Sequence, residues 1–145
     1  MLEIRVVDTP EAKQAAYGIR IAVFVEEQAI PLAEEFDGWD EGGAVHYLGF
    51  EGDDPVATAR LIPAAERAKL GRIAVLERAR GRGHGDALLR RLLADARAQG
   101  YHEAVLDAQI DKIAFYERFG FAAHGPEFDD GGIAHRRMTL ALEDD

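Results

Sequence analysis

Residues 78–89, RARGRGHGDALL, combine arginines and glycines in a spacing suited to binding a phosphate group. Glycine allows backbone angles that other residues avoid, so several amides of such a turn can point at one anion. The stretch follows a predicted strand and precedes a predicted helix, whose N-terminus adds unpaired N–H groups and the positive end of the helix dipole. Arg80 and Arg82 would add charge-assisted hydrogen bonds. The pattern therefore predicts a phosphate site.

The familiar phosphate-binding motifs do not describe this stretch. A P-loop needs a Lys followed by Ser or Thr, and neither is present after the glycines. A dinucleotide fingerprint, G-x-G-x-x-G, fails because its third glycine would fall on Asp86 or Leu88. The pattern that fits is R-x-x-G-x-G, with Arg80, Gly83 and Gly85. A surface turn with solvated arginines is the alternative interpretation of so short a motif.

The composition limits the classes of protein that the chain can belong to. Its 145 residues predict one domain over residues 1–145, and the net charge of −10 disfavours nucleic-acid or anionic-membrane partners. The absence of cysteine excludes disulfides, a thiolate metal site and a cysteine nucleophile, and it suits a reducing cytoplasm. We see neither a signal peptide nor an apolar run near the roughly 18 residues of a membrane span. We therefore expect a cytoplasmic protein without a metal.

Charges are segregated along the sequence. Ten acidic residues and no Lys or Arg lie between Arg20 and Arg60, whereas arginines are concentrated from Arg60 to Arg97. Solvated surface is the simplest interpretation of these charges. The alternative is a pair of binding sites, one for an anion and one for a cation.

The hydrophobic pattern predicts an α/β domain with a mixed sheet. Apolar and polar alternation and turn residues predict seven strands, at 2–7, 44–51, 56–62, 68–76, 102–108, 121–128 and 133–142. Capping residues and apolar stripes predict helices at 10–24, 83–99 and 111–119. Residues 26–43 are predicted as a long loop with room for a helical turn, a type of segment that is often functional. Trp39 in this loop has two interpretations, a lid anchor or an ordinary buried aromatic, and we favour the buried aromatic.

Together these features resemble the GNAT superfamily of N-acetyltransferases. The R-x-x-G-x-G turn resembles the loop by which that family binds the pyrophosphate of coenzyme A, and KLGRIAV resembles the central strand before it. QIDKIAFYERFGF resembles the family segment N…A..FY…GF, with Gln109 where many members have Asn. RIAVFVEEQ, EEFDGWD, HYLGF and GIAHRRM resemble in particular the small bacterial ElaA-like members.

The resemblance implies a fold and a coenzyme site. The fold is a mostly antiparallel sheet of six to seven strands with helices on both faces and a V-shaped splay between strands 4 and 5. Acetyl-CoA would lie in the splay, with its pantetheine arm along Ile73, Ala74 and Val75 and its thioester carbonyl facing the Val75 N–H. The remaining residues implied in coenzyme binding are Arg80, Gly81, Arg82, Gly83, His84, Gly85, Gln109, Phe115 and Tyr116.

The resemblance also implies a reaction, the transfer of an acetyl group from acetyl-CoA to a primary amine. The acceptor would be a small molecule or a peptide, attacking directly in a ternary complex, and homodimers are common in the superfamily. The alternative is a non-catalytic domain that binds or senses acyl-CoA, which the absence of an acid from strand 68–76 and the presence of Gln109 favour. A third interpretation, nucleic-acid binding through Arg78 to Arg91, is disfavoured by the net charge.

Acetyl transfer to an amine places three demands on the protein. The amine must be neutral although a free alkylamine has a pKa near ~10, the developing oxyanion needs a fixed donor, and the departing thiolate benefits from a proton donor. The resemblance makes Tyr116 that proton donor, and a core aromatic is the alternative interpretation. The sequence leaves the base open among five residues, for each of which a structural role is the alternative: Glu27, Glu35, Asp37, His46 and His135.

The resemblance places the acceptor side of the site at the end of the first helix. Arg20, Phe24, Glu27 and Gln28 lie in that region. The ten acidic residues that follow Arg20 suggest a cationic acceptor, such as a polyamine, a lysine side chain or an amino sugar.

Overall fold

The computed structural model describes residues 1–142. Seven strands form a sheet in the order β1-β2-β3-β4-β5-β7-β6. They are β1 Glu3–Val6, β2 Val45–Glu51, β3 Asp54–Ala64, β4 Arg67–Val75, β5 Glu103–Gln109, β6 Ala122–Asp130 and β7 Ile133–Ala141. Every neighbouring pair is antiparallel except β4 with β5, which is parallel. The predicted succession of seven strands along the sequence and the mixed sheet are confirmed.

Within the described residues, five α-helices accompany the sheet: α1 Pro10–Arg20, α2 Leu32–Glu35, α3 Gly38–Glu41, α4 His84–Ala98 and α5 Ile113–Glu117. The α1 helix begins where the sequence predicts, because Thr9 caps it and Pro10 occupies its first turn. Its predicted end at residue 24 is wrong, since the chain passes at Ile21 into a π-helix that runs to Glu27. None of the helices within residues 1–142 is long and apolar enough to cross a membrane.

The segment predicted as a loop at 26–43, with room for one helical turn, contains two short helices, α2 and α3. Asp37 accepts from the Trp39 N–H at 3.1 Å, and Asp40 accepts from the Asp37 N–H at 3.0 Å. This reciprocal capping explains how a helix of one turn forms at α3. An acid three residues after Asp37 was the sequence signal for it.

Helices cover both faces of the sheet, as the resemblance implies. The apolar stripe of α4, which includes Leu88, Leu89 and Leu92, packs on one face in the larger of two buried clusters. On the other face, Ala16 and Ile19 of α1 belong to a smaller cluster. The central strand β3 is buried from Val56 to Ile62 because helices lie on both of its sides.

The sheet opens between β4 and β5. The two strands pair only where Arg67–Lys69 face Glu103–Val105. Further along, β4 bulges: Gly71 pairs with Arg60 and Ala74 pairs with Thr58, which sets two residues of β4 opposite one of β3. A bulge bends its strand and increases the local twist, so β4 turns away from β5. The predicted splay between strands 4 and 5 is confirmed.

Candidate active site

A cleft of about 1020 Å³ lies between the diverging halves of β4 and β5. Its walls come from those two strands, from the π-helix and the segment that follows it, from α5 and from the turn between β6 and β7. The residues predicted for coenzyme binding that line this cleft are Ile73, Ala74, Val75, Arg80, Gly85, Gln109, Phe115 and Tyr116. The other four are not among the lining residues: Gly81, Arg82 and Gly83 lie on the loop before α4, and His84 is the buried first residue of that helix.

The loop before α4 has glycine where the backbone demands it. Gly81 and Gly83 have φ angles of 79° and 81°, in the left-handed region that side chains disfavour. Gly83 is the N-cap of α4, and no side chain accepts from the first-turn N–H groups of that helix. Those groups remain free for an external acceptor. The loop therefore fits a pyrophosphate, with Gly85 facing the cleft.

The arginines of this loop are paired with acids from the acidic half of the sequence. Arg80 donates to both oxygens of Glu27 at 2.6 and 2.7 Å, and Arg82 donates to Glu51 at 2.7 Å. The buried His84 lies 2.6 Å from the same Glu51 carboxylate. In the same way, at least six of the ten acids between residues 21 and 59 form ion pairs: Glu27, Glu35, Asp37, Asp40, Glu51 and Asp54.

These ion pairs change the interpretation of the charge pattern. The acidic and basic stretches mainly neutralise each other after folding, so the count of acids does not by itself indicate a cationic ligand. The hydrogen bond from Arg80 also lowers the pKa of Glu27, which makes that carboxylate a poor proton acceptor. We therefore regard Glu27 as the partner of Arg80 rather than as the base.

Replacing Glu27 by Gln is expected to strengthen acetyl-CoA binding about fivefold. The change removes a negative charge beside the proposed pyrophosphate site and releases Arg80 from its ion pair. A partly exposed ion pair contributes on the order of 1 kcal/mol of free energy, which corresponds to a change of about fivefold in the binding constant. Calorimetric titration with acetyl-CoA measures the effect. Glu26→Gln is the matched control, because Glu26 is exposed and has no ion pair within residues 1–142. Weaker binding by Glu27→Gln would contradict the expectation.

The backbone of β4 directs one donor into the cleft. The Leu76 N–H donates to the Val56 carbonyl at 2.8 Å, so residues 76 and 56 form a hydrogen-bonded pair. Pairs alternate along antiparallel strands, and the pair of Val75 with Ala57 therefore turns its N–H and C=O groups away from β3. The Val75 carbonyl accepts from Arg80 Nε at 2.9 Å. The Val75 N–H is thus left facing the splay as a fixed donor.

Tyr116 packs in the core and also lines the cleft, so its position is compatible with both roles that the sequence left open. Its ring packs against Phe115 and Phe121, with ring centroids 5.0 and 6.0 Å apart, so it belongs to the core. It also lines the cleft, and its hydroxyl has no hydrogen-bond partner within the described part of the chain. Burial raises the pKa of Tyr116 to about 12, which keeps the hydroxyl protonated at neutral pH.

A buried ion cluster anchors α2 and α3 on the other side of the cleft. Arg20 is completely buried and donates to Glu35 at 2.9 Å and to the two oxygens of Asp40 at 2.7 and 3.0 Å. Burial alone would raise the pKa of Asp40, but the hydrogen bond from Arg20 prevails and lowers it far below its usual range. For Glu35 burial prevails and raises the pKa.

Two arginines of the sheet complete the cluster. Arg60 on β3 donates to Asp37 at 2.9 Å and to Asp40 at 3.0 Å. Arg72, in the β4 bulge, lies 3.1 Å from Glu35. Both arginines line the cleft, although the sequence analysis gave them no role. A charge inside an otherwise apolar strand was the available signal for Arg60.

Two predictions for this region need correction. His46, a candidate base, does not line the cleft; it is buried with Nε2 3.8 Å from Asp40, and burial lowers its pKa. We therefore do not retain His46 as a base. Trp39 was expected to be buried, but 43% of its surface is exposed, because the short α3 helix projects it outwards.

A bridge crosses the cleft between its two mouths. Gln109 at the end of β5 donates to Gln28, which follows the π-helix, at 2.7 Å. Two residues after Gln28, Ile30 packs closely on the turn between β6 and β7. A Cβ atom on Gly131 of this turn would come within 3.1 Å of the Ile30 side chain. The cleft therefore has one mouth beside the glycine loop and another beside α2.

A sheet with one parallel, splayed strand pair, opening beside an uncapped helix N-terminus, defines the GNAT class of acyltransferase folds. The family model "Acetyltransferase (GNAT) domain" matches residues 8–142. The chain is 34% identical over 132 residues to the uncharacterized N-acetyltransferase YjcF of Bacillus subtilis, covering 88% of this chain and 91% of that protein. It belongs to the GNAT acetyltransferase family and is an N-acetyltransferase.

Solved structures agree with this assignment. Escherichia coli ElaA superimposes with a TM-score of 0.86 at 29% identity, over 96% of this chain and 99% of that chain. An acyl-CoA N-acyltransferase from Pseudomonas aeruginosa gives a TM-score of 0.87 at 28% identity, over 96% and 99% of the two chains. The resemblance to ElaA-like members is thereby confirmed.

Proposed function

We propose that the protein transfers the acetyl group of acetyl-CoA to a primary amine by direct attack in a ternary complex, as one domain. The splay between β4 and β5 is the observation that carries the proposal. It forms a cleft whose lining includes the glycine loop with its free amides, Val75 with its free N–H, and Glu34 and Glu35 of α2. Two substrates can therefore meet within this cleft.

The coenzyme side of the cleft fits the implied residues. The loop from Arg80 to Gly85 would hold the pyrophosphate, and the exposed edge of β4 from Ile73 to Val75 would pair with the amide-bearing arm. Phe115 and Tyr116 form the opposite wall at this end. Acetyl-CoA supplies the activated acyl group. The Val75 N–H stabilises the negative charge that develops on the carbonyl oxygen, because a fixed donor needs no reorganisation.

The acceptor would enter by the mouth beside α2. Two carboxylates at this mouth, Glu34 on α2 and Asp130 at the end of β6, line the cleft and have no ion pair within residues 1–142. They favour a cationic amine over an anionic one, because they attract an ammonium group as it approaches. The cluster around Arg20 holds α2 in place but is neutralised internally.

Release of free thiol from acetyl-CoA tests the proposal. A panel of primary amines, including polyamines, lysine peptides and amino sugars, is tested with neutral and anionic amines as comparison. We expect thiol release that depends on the amine and is fastest for a cationic acceptor. Tight binding of acetyl-CoA with no release for any amine would support the alternative, a domain that senses acyl-CoA.

Tyr116→Phe is expected to reduce kcat about tenfold to 100-fold, with less than a twofold change in the Kd for acetyl-CoA. The variant keeps the ring packing and removes only the proton that the departing thiolate would take. The expected decrease in kcat lies in the usual range for the loss of acid catalysis or just below it. Steady-state kinetics and equilibrium binding measure the two constants. Tyr101→Phe, which alters a tyrosine outside the cleft lining, is the control. An unchanged kcat would remove Tyr116 from the mechanism.

A further inference from the structure

His135 lies on β7 where the strand faces the acceptor side of the cleft. It pairs with Gln109 on β5 and with Phe128 on β6, and residues paired across antiparallel strands share one face of the sheet. The Gln109 side chain on that face reaches Gln28, so the face looks towards the π-helix and the segment after it, on the side where the acceptor is proposed to enter. His135 itself lines the cleft and is 8% exposed.

The hydrogen bonds of His135 fix which ring nitrogen can accept a proton. Its Nδ1 lies 2.7 Å from the Ile133 carbonyl oxygen. A carbonyl oxygen only accepts, so Nδ1 is the donor, and in the neutral imidazole Nε2 carries the free lone pair. The ring of Phe128 stacks on the imidazole, with 6.0 Å between the ring centroids and 24° between the ring planes. This contact holds the orientation of the imidazole. Nε2 has no hydrogen-bond partner within the described residues.

The other candidate bases lack a free acceptor in the cleft. Glu27 accepts two hydrogen bonds from Arg80, and Glu35 is held by Arg20 and Arg72. Asp37 accepts from Arg60 and from its own helix. His46 does not reach the cleft. Of the five residues considered, His135 therefore combines access to the cleft with an unpaired basic atom.

We propose that His135 is the general base of the acetyl transfer, an inference that rests on the proposed function. The acceptor arrives as an ammonium, and Nε2 first takes one of its protons and passes it through water to the solvent, which leaves the nitrogen a lone pair. The neutral amine nitrogen then bonds to the thioester carbonyl carbon while Nε2 takes a second proton from that nitrogen. The C–S bond breaks, and the thiolate takes the proton of the Tyr116 hydroxyl. A proton then passes from His135 to Tyr116 through water, which restores both groups.

Two acceptors of different basicity test this assignment. His135→Gln is expected to lower kcat/KM about 100-fold for the alkylamine of the panel that reacts fastest, because base catalysis is lost. The loss is expected to be under about tenfold for acetohydrazide, whose nitrogen is already neutral at pH 7 and needs less help from a base. Acetyl-CoA binding should change less than twofold. His124→Gln, which alters an exposed histidine on β6, is the matched control. An equal loss for both acceptors would indicate a structural role and overturn the proposal.

Nuclear magnetic resonance of the imidazole nitrogens gives a second readout that needs no turnover. A ¹⁵N-labelled sample is expected to show His135 protonated at Nδ1 with Nε2 bare, assigned by the signals missing from His135→Gln. A neutral ring protonated at Nε2 would overturn the role of His135 alone. If the wild-type protein transfers acetyl groups to no amine, the proposed function and this inference fail together.

Discussion

Gly85→Glu is expected to weaken acetyl-CoA binding by at least about 100-fold while the fold remains intact. Gly85 lies in the first turn of α4 and lines the cleft. A Cβ there meets only the Phe115 ring, at an ordinary contact distance of 3.6 Å, so the side chain can be accommodated. Its carboxylate would lie among the amides proposed to hold the pyrophosphate. Repulsion between such charges at about 4 Å amounts to a few kcal/mol near a protein surface, which corresponds to a factor of 100 or more.

The matched control for this variant is Gly18→Glu. Gly18 is also a helical glycine, in α1, and a Cβ there meets nothing within 4 Å. Both variants add one negative charge, so a difference between them reports position rather than net charge. Titration calorimetry measures binding, and thermal unfolding checks the fold. Gly83→Glu is a less clean test, because the φ of 81° at Gly83 strains any side chain. Full binding by Gly85→Glu would exclude the loop as the coenzyme site.

Arg20→Met is expected to lower the free energy of unfolding by about 3 to 5 kcal/mol. Methionine replaces the apolar part of the buried side chain but leaves Glu35 and Asp40 without their shared partner. Removing one member of a buried ion pair costs this much because a charge in a poorly solvated place loses compensation. Arg72 and Arg60 remain beside Glu35 and Asp40, so we expect a loss at the lower end of this range. Urea denaturation measures the effect, and α2 and α3 should loosen before the rest of the protein. We therefore also expect weaker acceptor binding by this variant.

Arg5→Met is the matched control for Arg20→Met. Arg5 and Glu3 form an ion pair with the same N–O distance, 2.9 Å, as Arg20 and Glu35, but more than half of each side chain is exposed. We expect a much smaller loss of the free energy of unfolding than for Arg20→Met, because solvent screens the exposed pair. Equal losses in the two variants would show that burial does not decide the strength of the Arg20 cluster.

The sequence predicted the elements whose signals are local. Alternation along residues 44–51 and 56–62 predicted β2 and β3, and the leucine stripe before Gly100 predicted α4. These signals depend only on residues that are close together in the sequence, so they can be recognised without knowledge of the fold. The end of α1 was missed because residues 21–24 are all apolar, and an apolar composition does not distinguish an α-helix from a π-helix.

What the sequence by itself determined is therefore the order of strands and helices, and the glycine loop that ends in α4. Only the tertiary structure decided which charges remain free. Arg80 forms an ion pair with Glu27, which is 53 residues away in the sequence, and Arg20 forms one with Asp40, which is 20 residues away. Most of the acids whose number suggested a cationic ligand are therefore paired within the protein. The tertiary structure also decided that His135, and not His46, reaches the cleft. The physical reason is that proximity between distant segments depends on strand register and on the bulge that opens the sheet, and neither is encoded by local spacing.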